Sequence, residues 1–328
     1  MKVLVVGYGS IAKRHIVNLS KFPNLQIIVC TNRKYDIFLK TKKCKIFNSL
    51  EECIKQKPDV AFVTNTTNLH VKTAMKLANA GIHMFIEKPL SNSINDVKIL
   101  LDVIKKKKLV TLMGCVLRFH PAIKKIKKII SKNKIGKIIS IHTENGSFLP
   151  DWHPYEDYKQ SYASRNDLGG GVVFTNIHEL DYLYWFFGNV KEVFSMTGKF
   201  SNLEIDVEDL SCILLRFKSN IIAEIHLDYF QKPSIRSCKI VGTKGTVYWD
   251  SNINAVRLYD VHKKRWIDKL KLKHYDINNM YLDEIDHFFK CVNKREKSIN
   301  PIEEGIKILN VAIAVKKASK LKKVVKLN

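Results

Sequence analysis

The chain predicts an α/β protein in two parts, a doubly wound parallel sheet followed by an α/β region built on a large, open, mainly antiparallel sheet. Through about residue 120, short apolar strand runs alternate with amphipathic helical patterns, the signature of parallel βαβ units. From Val193 to Tyr259, by contrast, strand candidates follow one another across hairpin-like turns, Lys218-Ser219-Asn220 and Gly242-Thr243-Lys244-Gly245, without intervening helices. The 328 residues are enough for two cores, which rarely grow past about 250–300 residues each. The expected division is 1–120 and 121–328.

Lys2 to Val6 reads as a buried strand and runs directly into Gly7-Tyr8-Gly9-Ser10-Ile11-Ala12, then a helical pattern through Leu19. Strand, glycine turn and helix give a G-x-G-x-x-A match the context of a dinucleotide-binding fingerprint, and hence a Rossmann domain. Gly7 permits the tight turn, Gly9 lets the backbone approach a pyrophosphate, and Ala12 lets helix and strand pack closely. The helix start offers free amides to phosphate. The second strand, Leu25 to Cys30, ends in Thr31-Asn32-Arg33, with no acid before Asp36. An acid there would hold the ribose 2′-hydroxyl of NAD, whereas Arg33 suits a 2′-phosphate, so the expected cofactor leans to NADP over NAD.

Asp59 to Val63 is a third buried strand, closing in the polar loop Thr64 to His70, where Asn65, Thr66 and His70 are cofactor-binding candidates. Helix capping by Thr67 or Asn68 is the alternative reading of that loop. His83 to Ile86 then ends abruptly in Glu87-Lys88-Pro89, which sets a lysine at the carboxyl edge of a parallel strand, where open α/β sheets bind ligands. A helix over Ile94–Lys105 and a strand over Val110–Cys115 lead to Leu117-Arg118-Phe119-His120.

After a helix (Ile123–Ile130) and a strand (Ile138–Ser147), a polar and aromatic stretch holds Asp151, Trp152, Tyr155 and Arg165. Gly169-Gly170-Gly171 should form a backbone turn, and Val172 to Phe187 one helix carrying Thr175, Asn176, His178 and Asp181. The last two lie three residues apart and share a face, so the carboxylate could orient the imidazole. Arginine forks match carboxylates and phosphates, and tryptophan can cover a sugar face. These residues are therefore the substrate-binding candidates, with Arg118 and Arg165 favouring an anionic substrate; pairing of Arg165 with Asp167 in a turn is the alternative. Helices return at Met280–Val292 and Pro301–Lys320.

The formal net charge of +25 is mostly lysine. Lys124, Lys125, Lys127 and Lys128 alternate with isoleucines at helical spacing, which describes a solvated face and attraction for anionic small molecules; specific nucleic-acid binding is not expected. Seven scattered cysteines without a Cys-x-x-Cys pair argue against a disulfide framework or a metal site. No apolar run approaches the roughly 20 residues that span a bilayer, and a cytoplasmic protein is expected.

Gly7, Gly9 and Ala12, then Glu87-Lys88-Pro89, then Gly169 to Asp181, and Phe288-Phe289 with Glu304-Gly305 near the end, together resemble the Gfo/Idh/MocA family of NAD(P)-dependent oxidoreductases. The resemblance implies a Rossmann domain, an α/β domain that often forms a homodimer or homotetramer through its sheet, and hydride transfer at a secondary alcohol or ketone of a sugar-like substrate. It also implies that Lys88 and His178 are catalytic. The family's helix commonly carries an aspartate three or four residues before the histidine; here those places hold Thr175 and Phe174. That departure supports a rival, a non-catalytic NADP-binding regulatory protein.

Overall fold

The computed structural model describes residues 1–32 and 37–327. They form two compact units, Met1–Val116 with Asn278–Leu309, and Leu117–Ile277 with Asn310–Asn328. A single cut at residue 120 thus differs from the observed division, because a segment from late in the chain belongs to the first unit.

Six parallel strands make the first unit's sheet: β1 (Lys2–Val6), β2 (Gln26–Cys30), β3 (Lys45–Phe47), β4 (Val60–Val63), β5 (His83–Glu87) and β6 (Thr111–Gly114). Their order is β3-β2-β1-β4-β5-β6, the doubly wound order that reverses between β1 and β4 and opens a crevice there. Between the strands run α1 (Ser10–Leu19), α2 (Ile37–Thr41), α3 (Leu50–Lys55), α4 (His70–Asn79) and α5 (Val97–Lys106). Residues in β4 are buried on both faces, which is why these strands read as continuous apolar runs. In-register Phe62 and Phe85 stack with ring centroids 4.7 Å apart. Phe288 meets both edge-on at 5.7 and 5.9 Å, which draws the late segment into this core.

The second unit begins with α6 (Pro121–Ser131) and β7 (Ile138–Gly146). The expected single helix over Val172–Phe187 is broken into α7 (Val172–Thr175) and α8 (His178–Phe187). Asn176, at φ −95° and ψ 33°, leaves helical geometry at the break, and unbroken apolar periodicity in the sequence cannot reveal such a step. There follow β8 (Val190–Gly198), β9 (Leu210–Phe217), β10 (Ile222–Asp228), β11 (Ile235–Gly242), β12 (Gly245–Asp250), β13 (Ala255–Asp260) and β14 (Arg265–Lys271). Helices α9 (Asn278–Val292) and α10 (Ile302–Leu321) and the two-residue β15 (Val325–Lys326) complete the chain.

These strands form one nine-stranded sheet ordered β14-β13-β12-β11-β7-β10-β9-β8-β15. It is antiparallel except where β10 pairs parallel with β7. Strand β9 buries Ser211, Ile213, Leu215 and Phe217 in strict alternation, and α7 and α8 lie against the sheet. Its other face includes the exposed Met196 and Leu214. Strands β14 and β15 are additions to the expected set. The first is a mostly exposed edge strand whose polar sequence gives no alternation to read.

Candidate active site

The first unit carries the cofactor candidates. Gly7 stands at φ +104°, and a β-carbon there would come within 2.8 Å of the Asn65 backbone; any side chain is excluded by conformation and by space. A β-carbon at Gly9 would meet nothing within 4 Å. Gly9 caps α1, and neither an acidic residue in the first turn nor a side-chain cap bond offsets the positive end of the helix dipole there. Ala12 is fully buried. Tyr8, Ser10 and Ile11 complete the turn, with the Tyr8 ring beside Phe38 at 6.3 Å. This cradle fits a dinucleotide phosphate on geometry alone. Asn32 is an exposed bend residue. Arg33 lies outside the described residues, as does Asp36.

The loop after β4 is tied to the loop after β5. His70, 1% exposed, places Nδ1 2.7 Å from the Pro89 carbonyl and Nε2 3.0 Å from the Asn65 carbonyl. Burial lowers its pKa, partly offset by these two contacts. The ring thus lies between two main-chain carbonyls, one from each loop. Asn65 Nδ2 donates to Thr73 Oγ1 at 2.8 Å, and the Thr66 hydroxyl donates to Asn68 Oδ1 at 2.7 Å. Thr66, instead of Thr67 or Asn68, precedes the helical turn as its cap position, without a side-chain cap bond.

Lys88 follows Glu87 at the carboxyl end of β5, joined to Pro89 by a cis peptide bond. Glu87 is buried, and its Oε1 lies 2.7 Å from His15 Nε2. Its Oε2 accepts the Lys88 amide at 3.2 Å. Gly114, opposite Glu87 on β6, leaves the room: a β-carbon there would stand 3.0 Å from the carboxylate. His15 was not a candidate from sequence, although a histidine six residues past Gly9 on the fingerprint helix was the available signal.

In the second unit the glycine run is a turn, as expected, and it needs all three residues. Gly169 and Gly171 have φ of +84° and +104°, and a β-carbon on Gly170 would lie 2.2 Å from the Tyr162 carbonyl oxygen. One on Gly171 would strike the Glu208 carboxylate at 2.4 Å. Thr175 and Asn176 are buried at the α7–α8 break, and His178 opens α8 at 9% exposure.

The charged candidates of this unit carry partners. Asp181 is engaged by Arg118, whose Nε reaches its oxygens at 3.2 and 3.0 Å and whose Nη2 reaches Oδ1 at 2.8 Å. Both side chains are fully buried, so the positive charge expected to favour an anionic substrate is neutralised on the spot. Asp181 likewise has its charge balanced by Arg118. Arg165 is paired with Asp167 at 2.6 Å, the turn alternative. Its exposed position makes that pair worth little in stability. Trp152 donates Nε1–H to Ser147 Oγ at 2.9 Å and meets Tyr229 edge-on at 5.5 Å. Asp151 and Tyr155 are exposed, Tyr155 at 76%. Glu179, also missed from sequence, is fully buried and bridged to Arg236 at 2.8 Å.

His120 has a separate structural task. Its Nδ1 accepts the Ala122 amide at 3.2 Å, capping α6, and its ring meets Trp249 and Tyr275. Burial, with a smaller contribution from Arg236, lowers its pKa from 6.5 to about 4. The neutral ring is favoured in the fold, so its stabilisation is complete above pH 6.5 and is lost as pH falls toward about 4. The span corresponds to about 3 kcal/mol. A His120→Asn protein should show a flatter decline in urea-unfolding stability across that window; a decline as steep as the parent's would contradict the assignment.

Among the described residues no group of three His, Cys, Asp or Glu side chains could hold a metal ion, and no helix is long and apolar enough to cross a membrane. Comparison with known families is decisive. Residues 1–115 match the profile described as oxidoreductase family, NAD-binding Rossmann fold, and residues 127–327 match the oxidoreductase family, C-terminal alpha/beta domain. The chain belongs to the Gfo/Idh/MocA oxidoreductase family. Within the family it is similar to myo-inositol 2-dehydrogenase of Thermotoga maritima, 27% identical over 345 residues that cover 100% of this chain and 98% of that one. It is also similar to 2,7-anhydro-N-acetylneuraminate hydratase of Escherichia coli, 26% identical over 221 residues, 65% of this chain and 57% of that one. The structure of a levoglucosan dehydrogenase in complex with NADH superposes with a TM-score of 0.89 at 16% identity, covering 100% of this chain and 99% of that one. At that identity the likeness is one of fold.

Proposed function

We propose that this Gfo/Idh/MocA protein oxidises a secondary alcohol of a neutral sugar or cyclitol, reversibly, with a nicotinamide dinucleotide. The observation that carries the reading is Lys88, held at the carboxyl edge of β5 by the buried Glu87 carboxylate, in a unit whose glycine cradle suits a dinucleotide. A bound nicotinamide supplies the hydride acceptor. Lys88 donates a hydrogen bond to the reacting oxygen and stabilises the charge that grows on it as the C–H bond breaks. His178 takes the hydroxyl proton, and in the reverse direction returns it. A neutral substrate is favoured because Arg118 and Arg165 are each matched by a carboxylate.

The test is a spectrophotometric panel of myo-inositol, levoglucosan and glucose 6-phosphate against NAD and NADP. Growth of the reduced-nicotinamide absorbance with a neutral polyol is expected; no growth with any of them would sink the reading. Arg33 decides the cofactor in this proposal. An Arg33→Ala protein should lose roughly tenfold or more in affinity for NADPH while binding NADH as before, given about 1.5–3 kcal/mol for a hydrogen bond to a charged group. Equal affinities before and after would assign the site to NAD. The similarity to a hydratase sets a second reading, addition of water to an anhydro sugar. That activity would give product without net change in the nicotinamide absorbance.

A further inference from the structure

We propose that His15 is a positioning residue for Lys88, acting through the carboxylate of Glu87. The inference rests on the reading that Lys88 works at the reacting centre. His15 is fully buried on α1, and its ring packs against the stacked pair Phe62 and Phe85 at centroid distances of 5.2 and 5.0 Å. Its Nε2 is 2.7 Å from Glu87 Oε1. A carboxylate oxygen only accepts, so Nε2 carries the hydrogen. Nδ1, also buried, has no hydrogen-bond partner among the described residues, where the ring's polar contact is with Glu87.

The second carboxylate oxygen accepts the Lys88 amide. One buried carboxylate thus couples the fingerprint helix to the backbone of the lysine. Burying a carboxylate in this core is costly unless it is hydrogen-bonded, and here both oxygens are used. The space is made to fit it, since Gly114 could not gain a β-carbon without crowding the carboxylate. On the far side of Lys88, the Pro89 carbonyl is held by His70. Lys88 is therefore flanked by two anchored residues, and the ionisable groups gathered around Glu87 are His15, His70 and Lys88 itself. A catalytic group must be held to a fraction of an ångström by such a supporting shell, and a misplacement of about 1 Å can cost roughly 10²-fold in rate.

His15→Leu keeps the bulk and removes the donor. His15→Gln keeps a donor at nearly the same reach. Hydrogen–deuterium exchange read by mass spectrometry should show uptake across Glu87–Leu90 at least tenfold faster in H15L and back at the parent rate in H15Q, with β4 unchanged in both. If H15L does not fold, H15N, whose amide stops a carbon short of the carboxylate, makes the same comparison. Uptake at Glu87–Leu90 equal to the parent's, or raised equally in β4, overturns the proposal. With any panel sugar that the parent oxidises, H15L should lose roughly 10- to 100-fold in kcat with NADH affinity kept within about twofold, and H15Q should recover it. If the parent oxidises none, the proposed dehydrogenase fails on its own account, and the exchange comparison still decides the role of His15.

Discussion

An Asp181→Leu protein is expected to lose about 3–5 kcal/mol of folding stability, the cost of leaving one member of a buried ion pair without its partner. The geometry makes the case specific. Arg118 and Asp181 are both fully buried, and the carboxylate accepts from Nε and Nη2 of one guanidinium. Removing the carboxylate takes this ionic partner from a buried guanidinium that also lies 5.6 Å from the centroid of the Trp185 ring. That aromatic contact recovers only a fraction of the loss. Replacing both partners, Arg118→Met with Asp181→Leu, should restore most of the stability, because the buried guanidinium goes with the carboxylate. Chemical denaturation of the two single variants and the double variant measures the coupling; a single-variant loss below about 1 kcal/mol would place this pair with ordinary exposed ones.

The second large effect concerns turnover. His178→Ala should lower kcat by about 10² to 10⁴, the usual contribution of a positioned proton-transfer group, while NADH affinity holds. His178 opens α8 just after the break at Asn176, the place where a continuous helix would have given its residues different directions. With Thr175 and Phe174 where an aspartate commonly stands, His178 has no titrating neighbour three or four residues before it. Unchanged kcat in the alanine variant, on a sugar that the parent oxidises, would transfer the proton-handling role to another group.

How much of the molecule was legible follows from where its information lies. Gly7, Gly9 and Ala12 could be read because a glycine turn between strand and helix is a local pattern with a local reason. The positive φ at Gly7 and the open space at Gly9 supply that reason. Lys88 could be placed at a strand end because the apolar run stops at Glu87. The three-glycine turn was equally readable, since its constraint is backbone conformation. The break at Asn176 was not, because α7 and α8 carry one uninterrupted apolar pattern. Strand β14 was missed for the opposite reason, an edge strand with most of its side chains in water.

The sequence by itself determined the alternation that makes a parallel sheet, the cradle for a dinucleotide, the change to consecutive strands after Val193, and the set of motifs that define the family. Each depends on periodicity or on neighbours a few residues apart. The tertiary structure alone decided what the charged residues do. Arg118 and Asp181 are 63 positions apart and His15 and Glu87 are 72 apart. The inclusion of α9 in the first unit likewise depends on Phe288 meeting rings more than 200 positions away. Pairings at such separations leave no periodic trace in the chain. They are set by which buried charge finds a partner when the core closes, since an unpartnered one is too costly to keep there.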